Sequence, residues 1–157
     1  MEKKTLTIPY EEYSSIEELG AADRALLEAA IDALKGSYAP YSRFNVGAAV
    51  RLADGTVVKG ANQENAAYPS GLCAERTAMF AASAQHPGVP FEAIALICAR
   101  EGKLMPNPAS PCGACRQVMA QYEREAGKPM RIIMGSGGPI LAFRGVDSLM
   151  PFIFNDL

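Results

Sequence analysis

The chain has 157 residues, 49% of them hydrophobic and 20% charged, with a net charge of −2. That balance suits one globular domain with a sizeable core and argues against disorder. Basic residues never run longer than Lys3-Lys4, which speaks against a nucleic-acid groove, and no apolar stretch approaches the ~20 residues a bilayer span needs.

Residues 1–20 read as an N-terminal extension ahead of a single domain over 21–157. Within it, "KTLTIPY" suggests a short strand and "SSIEELG" a turn or short helix. "MEKKTLTIPYEEY" has charge but no apolar segment behind it, so it does not read as a signal peptide. The expectation is a cytoplasmic protein whose four cysteines are reduced.

From residue 21 to 35 the spacing of Leu26, Leu27, Ala30, Ile31 and Leu34 predicts a helix, ended by Gly36. "FNVGAAVRLADGTVVKGAN" reads as a hairpin turning at Asp54-Gly55. "CAERTAMFAASAQ" is a helix closed by "HPGVP", which carries the only histidine, His86, expected in an exposed loop. With one imidazole in the chain, a zinc site built on several histidines is excluded.

"FEAIALICAR" follows as a buried strand, "KLMPNPASP" as a proline-broken loop, and "CGACRQVMAQYEREAG" as a helix stopped at Gly127. "MRIIMG" and "PILAFRG" are short strands joined by "SGG", and "VDSLMPFI" suggests a short final helix. The order of elements predicts one mixed sheet with helices on its faces, with parallel neighbours in the strand–helix–strand–helix–strand middle.

Chemistry concentrates at two helix starts. Cys112 and Cys115 in "PCGAC" fit a redox dithiol or half of a zinc site. Cys73 opens the other helix in the same way, so three thiols converge if both helices begin at one end of the sheet. A helix N-terminus favours thiolate, the form that binds zinc, and a catalytic zinc keeps its fourth position open. Arg76, three residues after Cys73 on the same helix face, is placed to offset the excess thiolate charge. Glu75 reaches such a centre only if Cys73 lies at the cap, before helical geometry begins; there it would shuttle protons. Cys98, inside the strand "ALICAR", reads as core.

"CAE" followed 39 residues on by "PCGAC" resembles the zinc-dependent cytidine deaminases. "YAPYSRFNVGAAV" and "GANQENAAYPSGLCAERTA" resemble the two substrate-side segments of the short, homotetrameric members. "SPCGACRQV" resembles their second metal segment, and "LMPFIFN" is similar to their C-terminal one. The likeness runs over roughly residues 24–155. It implies a three-layer α/β/α fold around a mixed five-stranded sheet, with four subunits sharing active sites. It also implies one zinc per chain on Cys73, Cys112 and Cys115, Glu75 as proton shuttle and Arg76 behind the thiolates. Asn62, Gln63 and Glu64 would lie at the substrate, with Asn62 and Glu64 on the ribose hydroxyls. Phe44 would pack on the pyrimidine, the Ala74 N–H would meet the base carbonyl, and the Ser110 carbonyl would meet the amino group. Phe154 would align with a phenylalanine donated by a neighbouring subunit, although "PFIFN" lacks the family's usual Ser-Phe-Gly ending.

The implied reaction is hydrolytic deamination of free cytidine and deoxycytidine to uridine and deoxyuridine, a step of pyrimidine salvage. No nucleic acid and no membrane enters as a partner. A blasticidin-type deaminase shares "CAE" and "PCxxC", but "NQENAAY" with Phe44 favours the nucleoside. A non-catalytic structural zinc or redox CxxC module is the rival of a different class. It expects a fourth thiol ligand such as Cys98, or an oxidised Cys112–Cys115 pair.

Overall fold

The structure, a computed structural model, describes residues 1–154. Asn155, the last residue of the "LMPFIFN" stretch, lies outside the described residues.

The helices are α1 (Ala21–Ala33), α2 (Ala74–Gln85) and α3 (Gly113–Ala126). The strands are β1 (Glu11–Tyr13), β2 (Phe44–Leu52), β3 (Val57–Ala61), β4 (Phe91–Arg100), β5 (Lys103–Leu104), β6 (Arg131–Met134) and β7 (Ile140–Arg144). They form one sheet in the order β1-β7-β6-β4-β2-β3, with β5 paired to β4. The expected five strands are β2, β3, β4, β6 and β7. β1 and β5 are short additions of three and two residues.

β4 is central and apolar on both sides, as a doubly covered strand must be. Its alternate residues serve different layers. Ala93, Ala95 and Ile97 pack with Leu26, Leu27 and Ala30 of α1. Ile94 and Leu96 pack with Ala78 and Met79 of α2 and Met119 of α3. The period of two along one strand thus builds two cores, giving the three layers α1, sheet, and α2 with α3.

Among the strand pairs described, only β4 and β6 run parallel. The sequence pattern suggested parallel neighbours through the whole middle. The β2–β3 hairpin instead inserts β2, antiparallel, between β3 and β4.

The N-terminal strand lies further on than "KTLTIPY": residues 1–10 carry no regular structure, and Glu11–Tyr13 pairs with β7. Arg131 explains the choice. Its Nη2 donates to Glu11 at 2.6 Å and to the Tyr13 hydroxyl at 3.1 Å, while its Nε donates to Asp23 of α1 at 2.7 Å. Tyr10 stacks on Phe143 with ring centroids 5.6 Å apart. The expected C-terminal helix is only a 3-10 turn over Val146–Ser148, and Pro151 prevents its continuation.

Two glycines set how closely the helices approach the sheet. A Cβ on Gly47 of β2 would lie 2.9 Å from the Leu34 nitrogen, and one on Gly60 of β3 would lie 2.8 Å from the Ala74 carbonyl and overlap the backbone of Ala78. These neighbours are backbone atoms and cannot swing aside. Gly60 therefore seats the first turns of α2, the helix that Cys73 opens.

Gly60→Ala should accordingly lower stability by about 1–3 kcal/mol through overpacking. That corresponds to a fall in melting temperature of roughly 3–10 °C. An unchanged melting temperature in calorimetry would show that α2 is not held at this distance.

Candidate active site

α2 and α3 start at the same place. Cys73 is the N-cap of α2, with φ −68° and ψ 153°, and Cys112 is the N-cap of α3, with φ −68° and ψ 165°. Both are extended residues preceding the helical turns. Cys115 lies one turn into α3 and is fully buried. The Cys73 and Cys112 sulfurs are 3.7 Å apart, those of Cys112 and Cys115 are 3.5 Å apart, and all three lie within 4.8 Å of one another.

Zinc–thiolate bonds of about 2.3 Å at tetrahedral angles place sulfurs about 3.8 Å apart. The cluster fits that ion. All four cysteines are free thiols, and Cys98 lies outside the cluster. A three-thiol group with no fourth protein sulfur is the donor set of an open site, unlike the closed site a structural module expects.

The thiols share their protons unequally. Cys73 is held down to about 5, chiefly by the Cys115 thiol donating to it and then by Arg76, whose Nη2 lies 3.6 Å from its sulfur. Cys115 is pushed well up by the same hydrogen bond and by burial. Both contacts favour the thiolate form of Cys73, the form that binds zinc. The Arg76 Nε is buried without a hydrogen-bond partner among the described residues, as expected of a guanidinium turned toward sulfur rather than oxygen.

The cap position resolves the placement of Glu75. Because Cys73 precedes the helix, Glu75 turns inward beside it, only 4% exposed, and burial raises its carboxyl pKa. It is the one buried carboxylate among the described residues. Cys98, in the facing strand, is pushed up to about 12 by burial and by the neighbouring Glu75 charge, so it stays a protonated wall residue.

The cluster opens into a cavity of about 660 Å³. Its lining includes Phe44, Asn62, Gln63, Glu64, Cys73, Glu75, Arg76, Ser110 and Cys112. Those are most of the residues the sequence pointed to, drawn from β2, the end of β3 and the two helix starts. Ala74 is fully buried at the first position of α2, where its N–H has no intrahelical acceptor.

Hydrogen bonds divide the polar wall. Asn62 accepts from the Val46 amide at 2.9 Å and the Ser37 hydroxyl at 2.5 Å, and donates to the Phe44 carbonyl at 2.8 Å. One amide hydrogen is left over. Gln63 donates to the Gly36 carbonyl at 2.9 Å. Glu64 accepts from the Tyr41 and Ser42 amides and the Ser42 hydroxyl, and that hydroxyl first of all keeps its carboxyl below the usual range. Phe44 packs beneath Arg100, with the guanidinium 5.7 Å from the ring centroid.

Tyr41 and Tyr68, in edge-to-face contact at 6.5 Å, also line the cavity, as do Cys98 and Leu96. The sequence singled out neither tyrosine nor Leu96, although both tyrosines stand in its two substrate-side segments, and Cys98, expected as core, is buried but also borders the cavity. Phe154 lines no part of this cavity; it is 66% exposed, and its carbonyl accepts from Gln117 at 2.9 Å. His86 caps α2 half-buried, rather than lying in an open loop.

A family model described as the "Cytidine and deoxycytidylate deaminase zinc-binding region" matches residues 21–127. The cytidine deaminase of Halalkalibacterium halodurans is 48% identical over 96 residues, covering 61% of this chain and 68% of that one. The cytidine deaminase of Sporosarcina psychrophila is 51% identical over 87 residues, covering 55% and 59%. Among solved structures, the cytidine deaminase of Burkholderia pseudomallei aligns with a TM-score of 0.68 at 41% identity, over 83% of this chain and 97% of that one. The cytidine deaminase from Mycobacterium tuberculosis aligns with a TM-score of 0.65 at 35% identity, over 84% and 96%. Sequence, fold and the three-thiol centre agree: the chain belongs to the zinc-dependent cytidine and deoxycytidylate deaminase family.

Proposed function

We propose that this protein hydrolyses the amino group of cytidine and deoxycytidine, giving uridine or deoxyuridine and ammonia. The observation that carries the reading is the buried Glu75 carboxylate set beside a three-thiol cluster at the floor of a nucleoside-sized cavity. Cys73, Cys112 and Cys115 would hold the zinc, which when bound lowers the pKa of water toward ~7 and polarises the reacting centre.

The chain's own groups do the rest. Glu75 takes one proton from the water as its oxygen bonds to C4 and delivers it to N3 of the pyrimidine; it then carries the remaining hydroxyl proton to the amino group, so that the C4–N bond breaks, ammonia leaves and the C4–O bond becomes the carbonyl. Burial raises its pKa and so makes it a better acceptor of the water proton than a solvated carboxylate would be. The Ala74 N–H meets the base carbonyl, and the Ser110 carbonyl accepts from the amino group. Phe44 provides the apolar wall for the ring. Glu64, kept ionised by Ser42, accepts from the ribose hydroxyls, and the spare Asn62 amide hydrogen donates to them. Holding the sugar in place converts binding into positioning, worth several kcal/mol in such sites.

The assembly is a homotetramer in this reading, with Phe154 inserted as an aromatic wall in a neighbour's cavity. Its exposed ring and its absence from its own cavity support that role. Among the described residues no helix is long and apolar enough to cross a membrane, and the free thiols suit a cytoplasmic enzyme of pyrimidine salvage.

Elemental analysis should find close to one zinc per chain, and Cys112→Ala should lose it; zinc retained by that variant would remove Cys112 from the ligand set. Glu75→Gln should keep fold and zinc but lose at least 10²–10⁴-fold in turnover, the usual weight of a general acid–base group. Turnover within a few-fold of wild type would refute the shuttle. Phe154→Ala should raise KM for cytidine while light scattering still reports a tetramer. An active wild-type monomer, or an unchanged KM, would contradict the shared wall.

A further inference from the structure

Arg116, the residue after Cys115 on α3, takes no part in the reaction described above. Its guanidinium is nonetheless spread over three oxygens. Nε donates to the Pro111 carbonyl at 2.8 Å, Nη2 to the Ser110 hydroxyl at 2.7 Å, and Nη1 to the Leu149 carbonyl at 2.6 Å. The first two acceptors belong to the loop that leads into Cys112, and Ser110 lines the cavity. The third begins the C-terminal segment. The next residue, Gln117, holds the far end of that segment through the Phe154 carbonyl.

None of the ion pairs found among the described residues includes Arg116. Its charge is committed to neutral oxygens, and those come from two stretches nearly forty residues apart. A rigid planar fork can hold such acceptors in a fixed relation; a lysine ammonium cannot reproduce that geometry. An arginine kept only for solubility would leave its donors to water.

We propose that Arg116 is a positioning residue that couples the Ser110 edge of the cavity to the C-terminal segment, so that a filled cavity orders residues 149–154. By reciprocity, a released segment weakens the grip on the ligand by the same factor. The identity of the ligand rests on the function proposed above. The coupling itself rests on the three hydrogen bonds.

The test is hydrogen exchange on the full-length, zinc-loaded protein, with and without saturating uridine, in wild type, Arg116→Met and Arg116→Lys. Uridine should slow exchange at 149–154 in wild type by roughly fivefold or more, the lower range of ordinary coupling. Both variants should lose that protection, and KM for cytidine should rise while kcat and zinc content change little. Arg116→Lys keeps charge and length but not the fork, so it should fail to rescue. If Arg116→Met does not fold, the lysine variant alone decides.

Protection of 149–154 that persists in the variants overturns the proposal, as does uridine that binds wild type without protecting the segment. If calorimetry shows no uridine binding to wild type, the functional reading fails separately. The coupling is then read without ligand: Arg116→Lys should speed exchange at 107–112 and 149–154 together, and a change confined to one of them overturns it.

Discussion

Two helix N-termini that meet at one point impose the rest of this molecule. Each is capped by a cysteine in extended conformation, so its sulfur lies where the unsatisfied N–H groups and the positive end of the helix dipole favour thiolate. For the sulfurs of Cys73 and Cys112 to come within 3.7 Å, α2 and α3 must lie on the same face of the sheet and begin at the same end. Gly60 lets α2 settle against β3, and the Ile94 and Leu96 face of β4 supplies the surface beneath both helices. The active-site geometry is therefore a consequence of how the second core is packed.

The cap has a further consequence for charge. An extended Cys73 shifts the phase of the chain, turning Glu75 inward beside the sulfurs rather than outward to solvent. The site then holds one buried carboxyl, several thiols and a single guanidinium within contact distance. Their shifts oppose one another: hydrogen bonding draws Cys73 toward thiolate and Cys115 toward thiol, while burial draws Glu75 toward its neutral form, and a bound zinc would take all three sulfurs as thiolates.

Much of this was legible in the sequence, for local reasons. Asp54-Gly55 marked the hairpin because its turn demands a positive φ, and Gly55 adopts 86°. "CAE" and "PCGAC" marked the centre because ligand spacing at helix caps is a sequence property. Strand order was not legible: β2 separates β3 from β4 through pairing that no local pattern encodes. Nor was β1, where "EEY" lacks the alternation of "TLTI" but is recruited by Arg131, 120 residues away. The ties of Asn62 to Phe44, Val46 and Ser37, and of Arg116 to Leu149, are likewise tertiary.

The central claim is that the thiol cluster and Glu75 form one hydrolytic centre for pyrimidine nucleosides. The most direct test follows cytidine absorbance with the purified protein as isolated, after exhaustive chelation, and after zinc is restored. The account predicts a steady loss of absorbance, its abolition on chelation, and its return with zinc. Decay that continues at the same rate in metal-free protein, or no decay with a full complement of zinc, would contradict it.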